Sequence, residues 1–95
     1  MSFILKKSDK AGKKYMVWNG KKKVYFGARG YEDYTTHKNP TRKKRYIARH
    51  RGKEDWWDTN TPGFWSRWIL WNLPSLQASI EDTEHRFHIK NKNAI

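Results

Sequence analysis

The 95 residues contain no cysteine, so neither a disulfide framework nor a thiolate metal site is available, and nothing points to an oxidising compartment. No apolar run approaches the ~20 residues that span a bilayer, and the most hydrophobic stretch, around residues 62–72, is interrupted by Arg67. The first ten residues lack the apolar core of a secretion signal, so neither secretion nor membrane anchoring is expected. No Gly-x-Ser-x-Gly is present and Cys is absent, which leaves nucleophilic catalysis without visible apparatus. Gly27 and Gly30 fit neither the Walker nor the dinucleotide spacing, and no cofactor or small-molecule substrate is expected. His85 and His88 stand three apart, and Glu81, Asp82 and Glu84 fall together, but no convincing further metal ligand accompanies either group.

Acid is the other scarcity. Nine Asp and Glu face 21 Lys and Arg, a net charge of +12 with His neutral. The imbalance is local: residues 1–53 hold seventeen cations against three acids, while residues 54–95 hold four against six. Five of the six Trp lie in the second half. This division predicts a basic part turned to solvent and an aromatic part that holds it together, with polyanions as partners.

One domain is expected over residues 1–95, small enough that aromatic side chains must supply much of the core. Residues 1–27 read as a β-meander. Phe3 to Lys7, Lys13 to Trp18 and Lys23 to Gly27 have strand character, with Asn19-Gly20 turning the hairpin. The alternation puts Tyr15, Val17, Val24 and Phe26 on an apolar face, and Met16, Trp18, Lys23 and Tyr25 on a basic-aromatic one. Around that second face gather Lys13, Lys14, Lys21, Lys22 and Lys23, with Trp18 and Tyr25 placed to stack on bases. The competing structural reading covers Trp18 with C-terminal helices and leaves the lysines to protect an edge strand.

Residues 28–53 comprise a tyrosine-rich link without clean period, which Tyr31 and Tyr34 are expected to pin to the core, and a helix capped by Asn39-Pro40. That helix has a thin apolar edge at Ile47, Tyr46 and Ala48. It projects Arg42, Lys43, Lys44, Arg45, Arg49 and Arg51, like charges that repel unless a counter-anion is present. Residues 54–90 begin with Glu54, Asp55 and Asp58, acids expected to pair with the basic helix. They continue into a Trp-rich helix from Pro62 to Asn72, capped by Thr61, and a last helix capped by Ser75. A 3.6-residue period places Phe64, Trp68 and Trp71 on one stripe with Trp65 and Ile69 beside it, leaving Ser66, Arg67 and Leu70 outside. In the last helix, Leu76, Ile80, Thr83 and Phe87 form the stripe, and residues 91–95 are expected to fray. The fold class is α+β: a small three-stranded antiparallel meander followed by about three helices, the Trp-rich one central.

The run FGARGYEDYTTHKNPTRKKRYIARH followed by GFWSRWILWNLPSLQASIED, within about Lys14 to Phe87, resembles a family of short basic proteins encoded mainly by large DNA viruses of eukaryotes. The resemblance rests on the spacing from Gly27, Tyr31, Asp33, Tyr34, Thr35 and His37 through Arg49 and His50 to Phe64, Trp65, Ser66, Arg67, Trp68, Trp71 and Asn72. It supplies no catalytic residues and implies a viral setting, in the virion or in the nucleus or cytoplasm of the host cell. The expected function is therefore binding rather than turnover: DNA or RNA held by its phosphates with little sequence specificity. An alternative is a minor capsid protein docked on acidic coat subunits. A weaker one is a nuclease, since Tyr15-Met16-Val17, Val24-Tyr25-Phe26-Gly27 and Arg29 loosely resemble the GIY-YIG pattern, with Glu54 or Glu81 as metal ligand.

Overall fold

The alternating N-terminal segment forms three strands in a computed structural model that describes residues 1–93: β1 (Ser2–Lys7), β2 (Lys13–Trp18) and β3 (Lys23–Ala28). Val17 lies opposite Val24 and Tyr15 opposite Phe26, so the hairpin takes the register the alternation dictates. A slip of one residue would turn all of these side chains to the other face. The turn is held by Asn19, only 6% exposed. Its Oδ1 accepts the N–H groups of Lys21 and Lys22, and its Nδ2 donates to Thr59 O and Asn60 Oδ1. Gly20, with φ +94°, takes the left-handed conformation that the reversal needs.

The meander is not the whole sheet. A fourth strand, β4 (Lys90–Asn91), runs parallel to β1 and gives the order β3-β2-β1-β4. Where fraying was expected, polar side chains extend the ladder: Asn91 Oδ1 accepts Leu5 N–H at 3.1 Å and Asn93 Nδ2 donates to Leu5 O at 2.7 Å. The open edge of β1 is thereby covered. Ala94 and Ile95, the end of the expected tail, lie outside the described residues.

Four helices accompany the sheet among the described residues: α1 (Tyr34–His37), α2 (Pro40–His50), α3 (Pro62–Trp65) and α4 (Leu76–Phe87). Asn39, Thr61 and Ser75 cap α2, α3 and α4 through their side-chain oxygens, as their sequence positions suggest. The short α1 was not legible in the aperiodic link. Asp33 starts it with a reciprocal box, accepting Thr35 N–H while its own N–H donates to Thr36 Oγ1.

From α3 the chain runs without a break into a π-helical turn, Ser66–Leu70, in which Trp71 N–H reaches five residues back to Ser66 O at 3.0 Å. The wider turn shifts the phase of everything after it. Leu70, placed outside by the 3.6-residue period, is 2% exposed, and the helix stops short of Asn72. The core joins Phe3, Leu5, Val17, Val24 and Phe26 of the sheet to Phe64, Trp65, Trp68, Ile69 and Leu70. On the other side of this Trp-rich layer lies α4, with Ile80 and Thr83 buried and the Thr83 hydroxyl within hydrogen-bonding reach of Trp68 O and Ser79 O. Trp65 Nε1 donates to Thr59 O and Trp68 Nε1 to Trp56 O, so burying these two indoles strands neither N–H. No described helix is long and apolar enough to cross a membrane.

Candidate polyanion-binding surface

On α2 the residues Arg42, Arg45, Tyr46, Arg49 and His50 are spaced by three, four, seven and eight, which sets them on one side of the helix. Tyr46, not Ile47, is the buried one; Ile47 is half-buried and Ala48 exposed. Its ring stacks flat on Trp71, with centroids 4.4 Å apart and planes 1° apart, and His50 covers the opposite face at 4.4 Å. His37 closes the column against Trp71 at 5.4 Å. Burial drives the Tyr46 phenol far above its ordinary pKa, Glu54 adding to the effect while Arg67 and Arg49 oppose it. Tyr46 itself lines the cleft described next, beside Arg42, Arg45 and Arg49.

Between this side of α2 and the end of the sheet at Lys13, Gly27 and Ala28 lies a cleft of about 580 Å³. At the floor of the cleft Gly27 lets Leu70 of the π turn pack close against β3: its φ is +77°, and a Cβ there would sit 2.9 Å from Leu70 Cδ1. Five cations line the cleft, Lys13, Lys14, Arg42, Arg45 and Arg49, against the carboxylates of Glu32, Asp33 and Glu54. Lys14 is engaged internally, with Nζ 2.7 Å from the carboxylate of Asp33, whose side chain is 4% exposed. Arg42 pairs with Glu32 at 3.1 Å in an exposed position. Glu54 lies 3.3 Å from His50 Nδ1 and accepts Trp56 Nε1–H, whereas Asp55 and Asp58 accept the N–H groups of Trp57 and Asn60 and reach no arginine. Lys13, Arg45 and Arg49 have no carboxylate at ion-pair distance among the described residues.

The remaining residues singled out by sequence divide by location. Lys43 turns inward, donating to Asn72 O at 2.5 Å and lying 5.1 Å from the Tyr34 ring; burial, then Arg67 and Arg86, lower its pKa. Arg29 braces the sheet through Lys13 O at 2.7 Å and Ser8 O at 2.8 Å. Lys44 and Arg51 are exposed and do not line the cleft. Lys21, Lys22 and Lys23 are exposed at the hairpin, five rungs and roughly 17 Å from the cleft end of β2 and β3. There Trp18 is 40% exposed, and the Tyr25 hydroxyl donates to Asp9 at 3.0 Å beneath Lys10. Tyr31, expected to anchor the link, is 74% exposed at the cleft rim. Sequence reasoning also missed Trp71, His50 and Asp33. The spacing of Arg42, Arg45, Tyr46, Arg49 and His50 was the available signal for this side of α2; the period that placed Trp71 on the apolar stripe did not announce its stacking on Tyr46.

Among the described residues no group of three or more His, Asp or Glu could hold a metal ion. Glu81 accepts from Gln77, Asp82 from Asn72 and Arg86, and Glu84 from Asn91 N–H.

No curated protein and no solved structure matches the chain. The model of a family of unknown function, DUF5754, matches residues 3–50, which run from β1 to the end of α2. That segment holds the meander, the link and the whole arginine side of the cleft, slightly more than half of the 95 residues. On this match the chain belongs to DUF5754.

Proposed function

We propose that the protein binds nucleic acid through its phosphates, with little sequence specificity and without turnover. One observation carries this reading: of the seventeen Lys and Arg in residues 1–53, only Lys14 and Arg42 have a carboxylate at ion-pair distance among the described residues. Such an excess of unmatched charge raises the energy of the folded chain and is relieved by a polyanion that releases its own counterions on binding. Among the groups free to do this are Lys13, Arg45 and Arg49 in the cleft and Lys21 to Lys23 at the hairpin. If each of these six meets one phosphate, log K falls against log salt with a slope of about −5 for duplex and about −4 for single strands. Replacing Arg45 and Arg49 together by Ala lowers that slope by about 1.5. Absence of binding to DNA and RNA at low salt refutes the proposal. In the viral setting implied by the resemblance, the protein would accompany the genome.

A second reading, docking on an acidic coat protein, draws on Trp57, which is 72% exposed although it lies against Trp68 and Phe87. An open indole resting on a firm aromatic base is a common interface anchor. Retention in purified shells after the genome is removed favours this reading; release with the DNA favours the first.

A further inference from the structure

The sheet has two faces, and the aromatic core accounts for only one. Phe3, Leu5, Val17, Val24 and Phe26 point to the helices. The register of the three antiparallel strands places the other side chains in two rows, Ile4, Trp18 and Lys23 in one and Lys6, Met16 and Tyr25 in the next. Trp18 and Tyr25 are diagonal neighbours on adjacent strands, about 7 Å apart, a spacing at which two aromatic side chains serve one surface. None of these six residues belongs to the core cluster. Trp18 is 40% exposed, Lys6 and Lys23 are exposed, and Met16, at 9%, is largely shielded. Lys21 and Lys22 continue the positive charge past the Trp18 row, and Lys10 lies 5.0 Å from the Tyr25 ring. Asp9 accepts the Tyr25 hydroxyl at 3.0 Å.

We infer that this outer face binds single-stranded nucleic acid, its bases stacking on Trp18 and Tyr25 while Lys6, Lys21, Lys22 and Lys23 meet the phosphates. The inference rests on the reading that the partner is a nucleic acid, and adds which form of it is preferred. Phosphates alone would need only lysines. Rings interleaved with lysines on a sheet suit a strand whose bases are free, because every base offers a π-face and a duplex hides it within the stack. The cleft on α2 makes no such distinction, so the two surfaces contribute differently: charge in the cleft, charge and stacking on the sheet.

The test is a salt titration of labelled oligothymidylate and of a duplex with the same number of phosphates, against wild type, Trp18→Ala, Trp18→Phe and Tyr25→Ala. Expected is tighter binding of the single strand, a loss of about 5- to 150-fold in Trp18→Ala, and recovery of most of it in Trp18→Phe. The salt slope stays unchanged in all of these, since no charge is removed. Equal affinity for strand and duplex, with Trp18→Ala harmless, overturns the stacking face and leaves phosphate binding standing. No binding to either at low salt overturns both. Polyglutamate bound as tightly as oligothymidylate, with the same loss in Trp18→Ala, assigns the face to an acidic polypeptide and also overturns the inference.

Discussion

Lys14 and Lys13 are adjacent lysines that composition treats alike, and the fold gives them opposite roles. The carboxylate of Asp33 is 4% exposed and has three donors: Thr35 N–H at 2.9 Å, the Thr35 hydroxyl at 2.5 Å and Lys14 Nζ at 2.7 Å. The first two converge on Oδ1, so Lys14→Ala leaves Oδ2 of a largely buried carboxylate without its cation. Breaking a buried pair from one side costs about 3–5 kcal/mol. The bonds to Thr35 and the 19% exposure of the Lys14 side chain favour the low end, about 3 kcal/mol. For a domain near this size that is a fall in Tm of roughly 12–24 °C. Thermal and urea unfolding of Lys14→Ala, Asp33→Asn and the double variant form the assay. In the double variant the stranded charge is gone, so the two losses are not additive, and about 0.5–3 kcal/mol is recovered. The salt slope of nucleic-acid binding should be unaffected by Lys14→Ala, because this ammonium is not free to meet a phosphate. A Tm within about 3 °C of wild type refutes the reasoning. So does a loss that Asp33→Asn leaves fully additive.

Two further outcomes follow from the same geometry. Gly27→Ala places a Cβ 2.9 Å from Leu70 Cδ1 on a residue with φ +77°. Left-handed strain and overpacking together should cost about 2–4 kcal/mol in urea unfolding, and an unchanged midpoint removes the need for glycine beside Leu70. His37 accepts Asn39 N–H on Nδ1 at 2.9 Å, and its pKa lies below the ordinary value, mainly through burial and then Arg42, with Glu32 and Asp33 opposing. Below about pH 6.5 the unfolded chain takes up a proton that the folded chain resists, so stability declines as pH falls from about 7. His37→Asn keeps an acceptor but cannot titrate, and should flatten that part of the Tm profile. Superimposable profiles for wild type and variant dispose of the mechanism.

What was legible in the chain has a common physical origin, because each readable feature depends on residues within a few positions of one another. Asn39, Thr61 and Ser75 start their helices because a side-chain oxygen reaches an N–H two or three residues on. Val17 pairs with Val24 because alternation and Asn19-Gly20 permit one register with the apolar face inward. The separation of a basic half from an aromatic half is likewise written in composition.

The surface itself was not readable this way. It joins Lys13, Gly27, Arg45 and Trp71, residues brought together only when the core closes. One local departure, the π turn at Ser66–Leu70, carries Leu70 into the core and leaves Trp71 beside Tyr46, and no 3.6-residue count foresees it. Lys13, Lys14 and Lys43 are the same residue type in basic stretches, and sequence alone determined only that they carry charge. Which of them is spent inside the molecule and which stays available was decided by where a buried carboxylate and a backbone carbonyl beyond the π turn came to lie, Asp33 for Lys14 and Asn72 O for Lys43. Those positions are set by packing across the whole chain, because a long flexible ammonium goes to whatever unsatisfied oxygen the closed core leaves within its reach.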